Sequence, residues 1–134
     1  MGIQPVGYRP AQIAAPKRIQ DRKAGLAIAA GTEVILSSLL LPSVGHPVLE
    51  SLYYDGSAGG NGFLHFRVTL DGSVLPDSFA DSYNPIGAPG NPAIVGKELP
   101  PGRTLEIRCK NEHASTVFDA FCDGEVFFYA DQPR

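Results

Sequence analysis

The stretch 62–73, GFLHFRVTLDGS, constrains the fold of this chain more than any other. Leu64, Phe66, Val68 and Leu70 fall on one face of an extended strand, and Phe63, His65, Arg67 and Thr69 fall on the other. Alternation with a period of two marks a strand with one face buried and one face wet. Asp71-Gly72 then supplies turn chemistry that accepts positive φ. The rest of the chain reads as further short strands packing on the same core.

Residues 33–41 (EVILSSLLL) form an apolar strand that ends at Pro42, and 48–54 form the next, followed by Asp55-Gly56 and a glycine-rich loop. Residues 77–101 are proline-rich and irregular, with one short strand expected at 93–95. Pro101-Gly102 turns the chain into 103–110, where Leu105, Ile107 and Cys109 alternate with Glu106 and Arg108. Strands at 116–122 and 125–130 follow, with Asp123-Gly124 read as the turn between them. The chain holds 15 Gly and 12 Pro in 134 residues, about a fifth of the total and well above the usual ~12%. Short strands punctuated at this spacing predict an all-β fold, an antiparallel β-sandwich of about eight strands over residues 26–134. Its core is expected to include Leu64, Phe66, Val68, Leu70, Leu105, Ile107 and Cys109.

Residues 1–25 read differently. Pro5, Pro10 and Pro16 interrupt any long helix, leaving at most a short one at 17–24. Arg9, Lys17, Arg18, Arg22 and Lys23 stand against Asp21 alone, so this segment carries +4 and the remainder −7 of a total of −3. Such asymmetry marks an interaction arm. The expected partner-binding residues are the basic ones together with the apolar Ile3, Val6, Tyr8 and Ile13. Docking on an acidic protein surface accounts for both sets. A nucleic-acid partner accounts only for the cations, and the acidic body would repel it. No apolar run is long enough to span a bilayer, and none follows the basic start as a secretory signal requires.

Few residues suggest chemistry. His46, His65 and His113 lie on three separate elements, without the spacing of metal ligands. The serines lack a nucleophile-elbow motif, and the acid pairs Glu98/Glu106 and Asp77/Asp81 read as solvated turn residues. The glycine-rich loop is not followed by GK[ST]. Cys109 and Cys122 read as buried, reduced thiols, because a hairpin centred on 111–115 places Cys109 nearer Val117 than Cys122. There is no tryptophan, although Tyr53, Tyr54 and Tyr83 could form a small carbohydrate platform. The expectation is a protein that is not an enzyme and carries neither metal nor cofactor.

Taken together, VTLDGS, the proline-rich segment, and LPPGRTLEIRCKNEHAS followed by an apolar strand and an acidic-Gly step resemble the small jelly-roll proteins of tailed-bacteriophage virions. The resemblance spans roughly 30–130 and is most specific at 99–111; Asp123-Gly124-Glu125-Val126 stands where the family has Gly-Trp. It implies a jelly roll and a virion structural role, most simply a capsid decoration (cement) protein. Such a protein is a homo-oligomer, with a trimer favoured, that binds the major capsid protein or another virion protein on particles assembled in the host cytoplasm. A tail, fibre or head–tail component, including a glycan-recognising module anchored by its arm, is the alternative. The loops 55–62 and 77–92 would then form the ligand face.

Overall fold

The alternation read at 62–73 becomes the centre of a buried layer in the computed structural model, which describes residues 12–18 and 25–130. Two antiparallel sheets face each other. The first contains β1 (Gln12–Arg18), β2 (Leu26–Ile28), β4 (His46–Gly56), β8 (Ala93–Glu98) and β10 (Phe118–Tyr129). The second contains β3 (Glu33–Leu40), β5 (Leu64–Leu70), β6 (Ser73–Val74), β7 (Asp81–Ser82) and β9 (Thr104–Asn111). The first sheet runs β1-β10-β4-β8, with β2 also paired to β10; the second runs β3-β9-β5-β6, with β7 also paired to β5. From β2 onward the chain changes sheet at each long connection: β2 in the first, β3 in the second, β4 in the first, β5 to β7 in the second, then β8, β9 and β10 alternating.

Leu64, Phe66, Val68, Leu105, Ile107 and Cys109 are buried between the sheets, and Leu70 packs against them part-buried. From the first sheet Leu49, Leu52, Tyr54, Cys122, Val126 and Phe128 close the core. Side chains of this size contribute roughly 1.5–3 kcal/mol each when fully buried. The Tyr54 ring stacks on Phe66 with centroids 4.5 Å apart, and its hydroxyl donates to the Phe79 carbonyl at 2.6 Å. That bond ties a single 3₁₀ turn (Ser78–Ala80) to the core. Burial pushes the Tyr54 hydroxyl up to about 12. Both cysteines are free and buried.

Asp71 (φ 50°) and Gly72 (φ 87°) make the two-residue turn between β5 and β6, both at positive φ as such hairpins require. Asp71 Oδ1 also accepts from the Thr104 amide at 2.8 Å, so the turn is fastened to the start of β9.

Three local expectations change. Asp123-Gly124 does not turn the chain: β10 is continuous, with Asp123 opposite Tyr53 and Gly124 opposite Leu52. Gly124 at φ 144° and a register shift after Glu125 bend the strand while its ladder to β4 holds it extended. β8 extends to Glu98, beyond the short 93–95 segment, because its ladder to β4 continues to Val48. Lys17 and Arg18 belong to β1 and not to a short helix; Pro16 is tolerated there because β1 is an edge strand. Positions 19–24 of that expected helix lie outside the described residues.

Candidate interaction site

Among the expected arm residues, Ile3, Val6, Tyr8, Arg9, Arg22 and Lys23 lie outside the described residues. Ile13, Lys17 and Arg18 are brought onto the body in β1, which pairs antiparallel with β10, Lys17 opposite Val126 and Arg18 opposite Glu125. The Lys17 side chain is exposed. Part of the basic segment therefore lies beside the acidic strand that carries Asp119, Asp123 and Glu125. Gly25 lies close against this strand too: a Cβ there would come within 2.8 Å of the Phe121 ring.

On the same sheet, Gly90 and Pro92 stand beside Asp123, Gly124 and Glu125 around a shallow pocket of about 220 Å³. Its carboxylates come from β10 and its other wall from the proline-rich loop. Nearby Tyr53 is raised by burial and by the charges of Asp55 and Asp123.

The outer face of the second sheet holds a polar cluster that sequence reasoning missed. His65 stacks on Tyr83 with centroids 4.3 Å apart. Its Nε2 pairs with Asp81, and its Nδ1 lies 3.4 Å from Glu112 Oε2. The Tyr83 hydroxyl donates to Glu112 Oε1 at 2.7 Å. That bond holds the Glu112 carboxyl below its ordinary range, with the charges of His65 and Lys110 adding to it. The same bond raises Tyr83. Farther along the face Arg67 and Arg108 sit directly opposite one another, a repulsive pair offset by Glu33, which reaches both, and by Glu106 at 2.9 Å from Arg108. No serine or cysteine takes part in these contacts, and among the described residues no group of three or more His, Cys, Asp or Glu is placed to hold a metal ion. The one available signal was the outward parity of His65 and Arg67 on β5. The partners depend on how the 77–101 segment returns to the sheet.

Asn111 is the second residue missed. It is fully buried; its Nδ2 donates to the carbonyls of Ile28 at 2.9 Å and Thr116 at 2.8 Å, and its Oδ1 accepts from the His113 amide at 3.0 Å. It thereby ties β9 of one sheet to β2 of the other and orders the 112–116 loop. Parity alone signals it, because Asn111 continues the inward series Leu105, Ile107, Cys109.

Several large apolar side chains remain on the surface. Ile94 on β8 is 81% exposed and Leu40 on β3 is 70% exposed, with Val44, Val117 and Ile35 also open to solvent. Among the described residues no helix is long and apolar enough to cross a membrane. Compared with known proteins, the chain matches no family model, no curated protein and no solved structure.

Proposed function

We propose that this protein is a non-enzymatic virion structural protein of the tailed-phage type, a capsid decoration protein whose sandwich is a jelly roll. The observation that carries the reading is the strand order. A first sheet ordered β1/β2-β10-β4-β8 faces a second ordered β3-β9-β5-β6/β7, and the chain alternates between them. That is the connectivity expected of two Greek keys wrapped into a double-sheet jelly roll, an architecture used by viral capsid domains. The step from fold to role is analogy, and the charge distribution adds to it. A basic N-terminal segment of +4 on a body of −7 suits a protein that grips an acidic partner with one part and packs its body with another. Two linked contacts raise apparent affinity through effective concentration, and self-association of the body multiplies the effect. Shell subunits bridged in this way would resist the pressure of packaged DNA, on a virion assembled in the host cytoplasm.

The position of β1 shapes the test. Removing residues 1–11 leaves every described strand in place, whereas removing 1–25 also strips an edge strand from β10. Full-length protein is expected to cosediment with undecorated shells of the phage carrying this coding sequence, and the 1–11 deletion to remain folded but bind at least tenfold more weakly. Equal binding by the two proteins would remove Ile3, Val6, Tyr8 and Arg9 from the mechanism, and no binding by either would remove the decoration role.

A second reading, a tail or fibre module that recognises a host glycan, draws on the pocket formed by Gly90, Pro92, Asp123, Gly124 and Glu125. Carboxylates at the rim of a shallow cleft suit sugar hydroxyls, and the cleft includes part of the 77–92 loop. A glycan array probed with the full-length chain tests it; an empty array counts against it.

A further inference from the structure

Most sheet edges of this fold are blunted in familiar ways. β1 carries Pro16 and Lys17 in its exposed part, β2 is three residues long, and β6 and β7 have two residues each. β8 carries Lys97 and Glu98 and is distorted at Gly96, φ 55°. β3 differs. It is eight residues long, contains no proline or lysine, and ends the second sheet, with no strand on its other side among the described residues. Ile35 and Leu40 stand exposed along it. A register shift between Ile35 and Ser37 is its one irregularity. Its single charge, Glu33, is turned back onto Arg67 and Arg108 of its own sheet.

The polarity of this edge is palindromic. Val34-Ile35-Leu36, Ser37-Ser38, Leu39-Leu40-Leu41 reads as three apolar residues, two serines and three apolar residues from either end. An isologous two-fold interface needs a patch complementary to itself. Antiparallel pairing about the midpoint of Ser37 and Ser38 places Ile35 opposite Leu40 of the second copy. It also places Val34 opposite Leu41. Ile35 and Leu40 both face outward, in register with Arg108 and Thr104, and Val34 and Leu39 both face the core side, in register with Cys109 and Leu105. The pairing sets no like charges against each other, since Glu33 comes opposite Pro42. The bulge at Leu36 then falls beside the axis and leaves the outer pairs regular.

We infer that the β3 edge is a homodimer interface, at which a second copy of this chain adds its own β3 antiparallel and joins the two second sheets into one continuous sheet. Main-chain hydrogen bonds of the added strand supply the contact, and the Ile35–Leu40 pairs at both ends set the register. The inference does not depend on the virion reading, and it makes the elementary unit two-fold and not the three-fold unit implied by the family resemblance.

Light scattering on the full-length protein at about 100 μM tests it, together with Leu40→Lys, Ile35→Lys and, as a control on the other sheet, Ile94→Lys. The expected result is a mass about twice 14.2 kDa for the wild type and Ile94→Lys, and monomer mass for the two β3 variants, with thermal midpoints showing that all are folded. Hydrogen exchange of the 34–40 amides should slow as wild-type concentration rises. A wild-type monomer, a trimer, or a dimer that survives both β3 substitutions with concentration-independent exchange would overturn the inference. None of these results bears on shell binding, so the two proposals fail separately.

Discussion

Replacing Asn111 with alanine removes a single side chain and breaks three connections. Nδ2 holds the carbonyls of Ile28 and Thr116 at 2.9 and 2.8 Å, and Oδ1 holds the His113 amide at 3.0 Å. Each bond is worth about 1 kcal/mol net, and a buried partner left unsatisfied costs about 1–3 kcal/mol. The Thr116 and His113 groups lie in a partly exposed loop, where water can replace the lost bond. The Ile28 carbonyl belongs to a fully buried residue and bears the larger penalty. The sum is about 3–4 kcal/mol, or roughly a 10–15 °C fall in Tm for a domain of this size. Urea and thermal unfolding followed by circular dichroism measure it. Asn111→Asp sharpens the test, because a carboxylate would face two carbonyl oxygens and lose both donors. Burial against those oxygens raises the folded pKa above the unfolded value of about 3.9, so the variant should be most stable below pH 4 and lose stability as pH rises through that range. Loss of less than about 1 kcal/mol in Asn111→Ala, or an Asn111→Asp variant with no stability gain toward acid relative to the wild type, would refute the role of Asn111 as the tie between the sheets.

The polar cluster on the second sheet gives another prediction. The hydrogen bond from Tyr83 lowers the Glu112 pKa, so the stabilisation from this carboxylate is present above its unfolded value and is lost as pH falls through the folded one. An NMR titration of the Glu112 carboxyl carbon should give a midpoint below the usual ~4.3. In Tyr83→Phe the midpoint should move upward; an unchanged midpoint would contradict the assignment. Cys109 is buried, and burial pushes its thiol up to about 12, so a thiol reagent at pH 8 should leave the native protein unmodified and react with both cysteines only after unfolding. Rapid labelling of the folded protein would contradict the core placement.

Two kinds of signal were legible in the sequence. Parity was one: Leu64, Phe66 and Val68 on β5, and Leu105, Ile107 and Cys109 on β9, alternate in the sequence and are buried in the fold. The Asp71-Gly72 hairpin was the other, because positive φ at two successive residues is a local demand that few dipeptides meet. Asp123-Gly124 has the same turn chemistry and misled. Whether such a dipeptide turns the chain or bends a strand depends on whether a partner continues alongside it, and here β4 does. The His65–Asp81–Tyr83–Glu112 cluster was illegible for a related reason. It forms only when a long irregular segment returns β7 to β5 in one register, Phe66 opposite Ser82 and Arg67 opposite Asp81. β1 was obscured by Pro16, which reads as a strand breaker unless the strand lies at an edge.

The proposed virion role is tested most directly by counting. Quantitative mass spectrometry of virus particles purified from cells that express this coding sequence gives the copy number of the chain relative to the major capsid protein. Decoration predicts a fixed ratio of the same order as the capsid protein itself, lowered by washes that leave the shell intact. A few copies per particle would move the protein to the tail, and its absence from purified particles would contradict the virion role altogether.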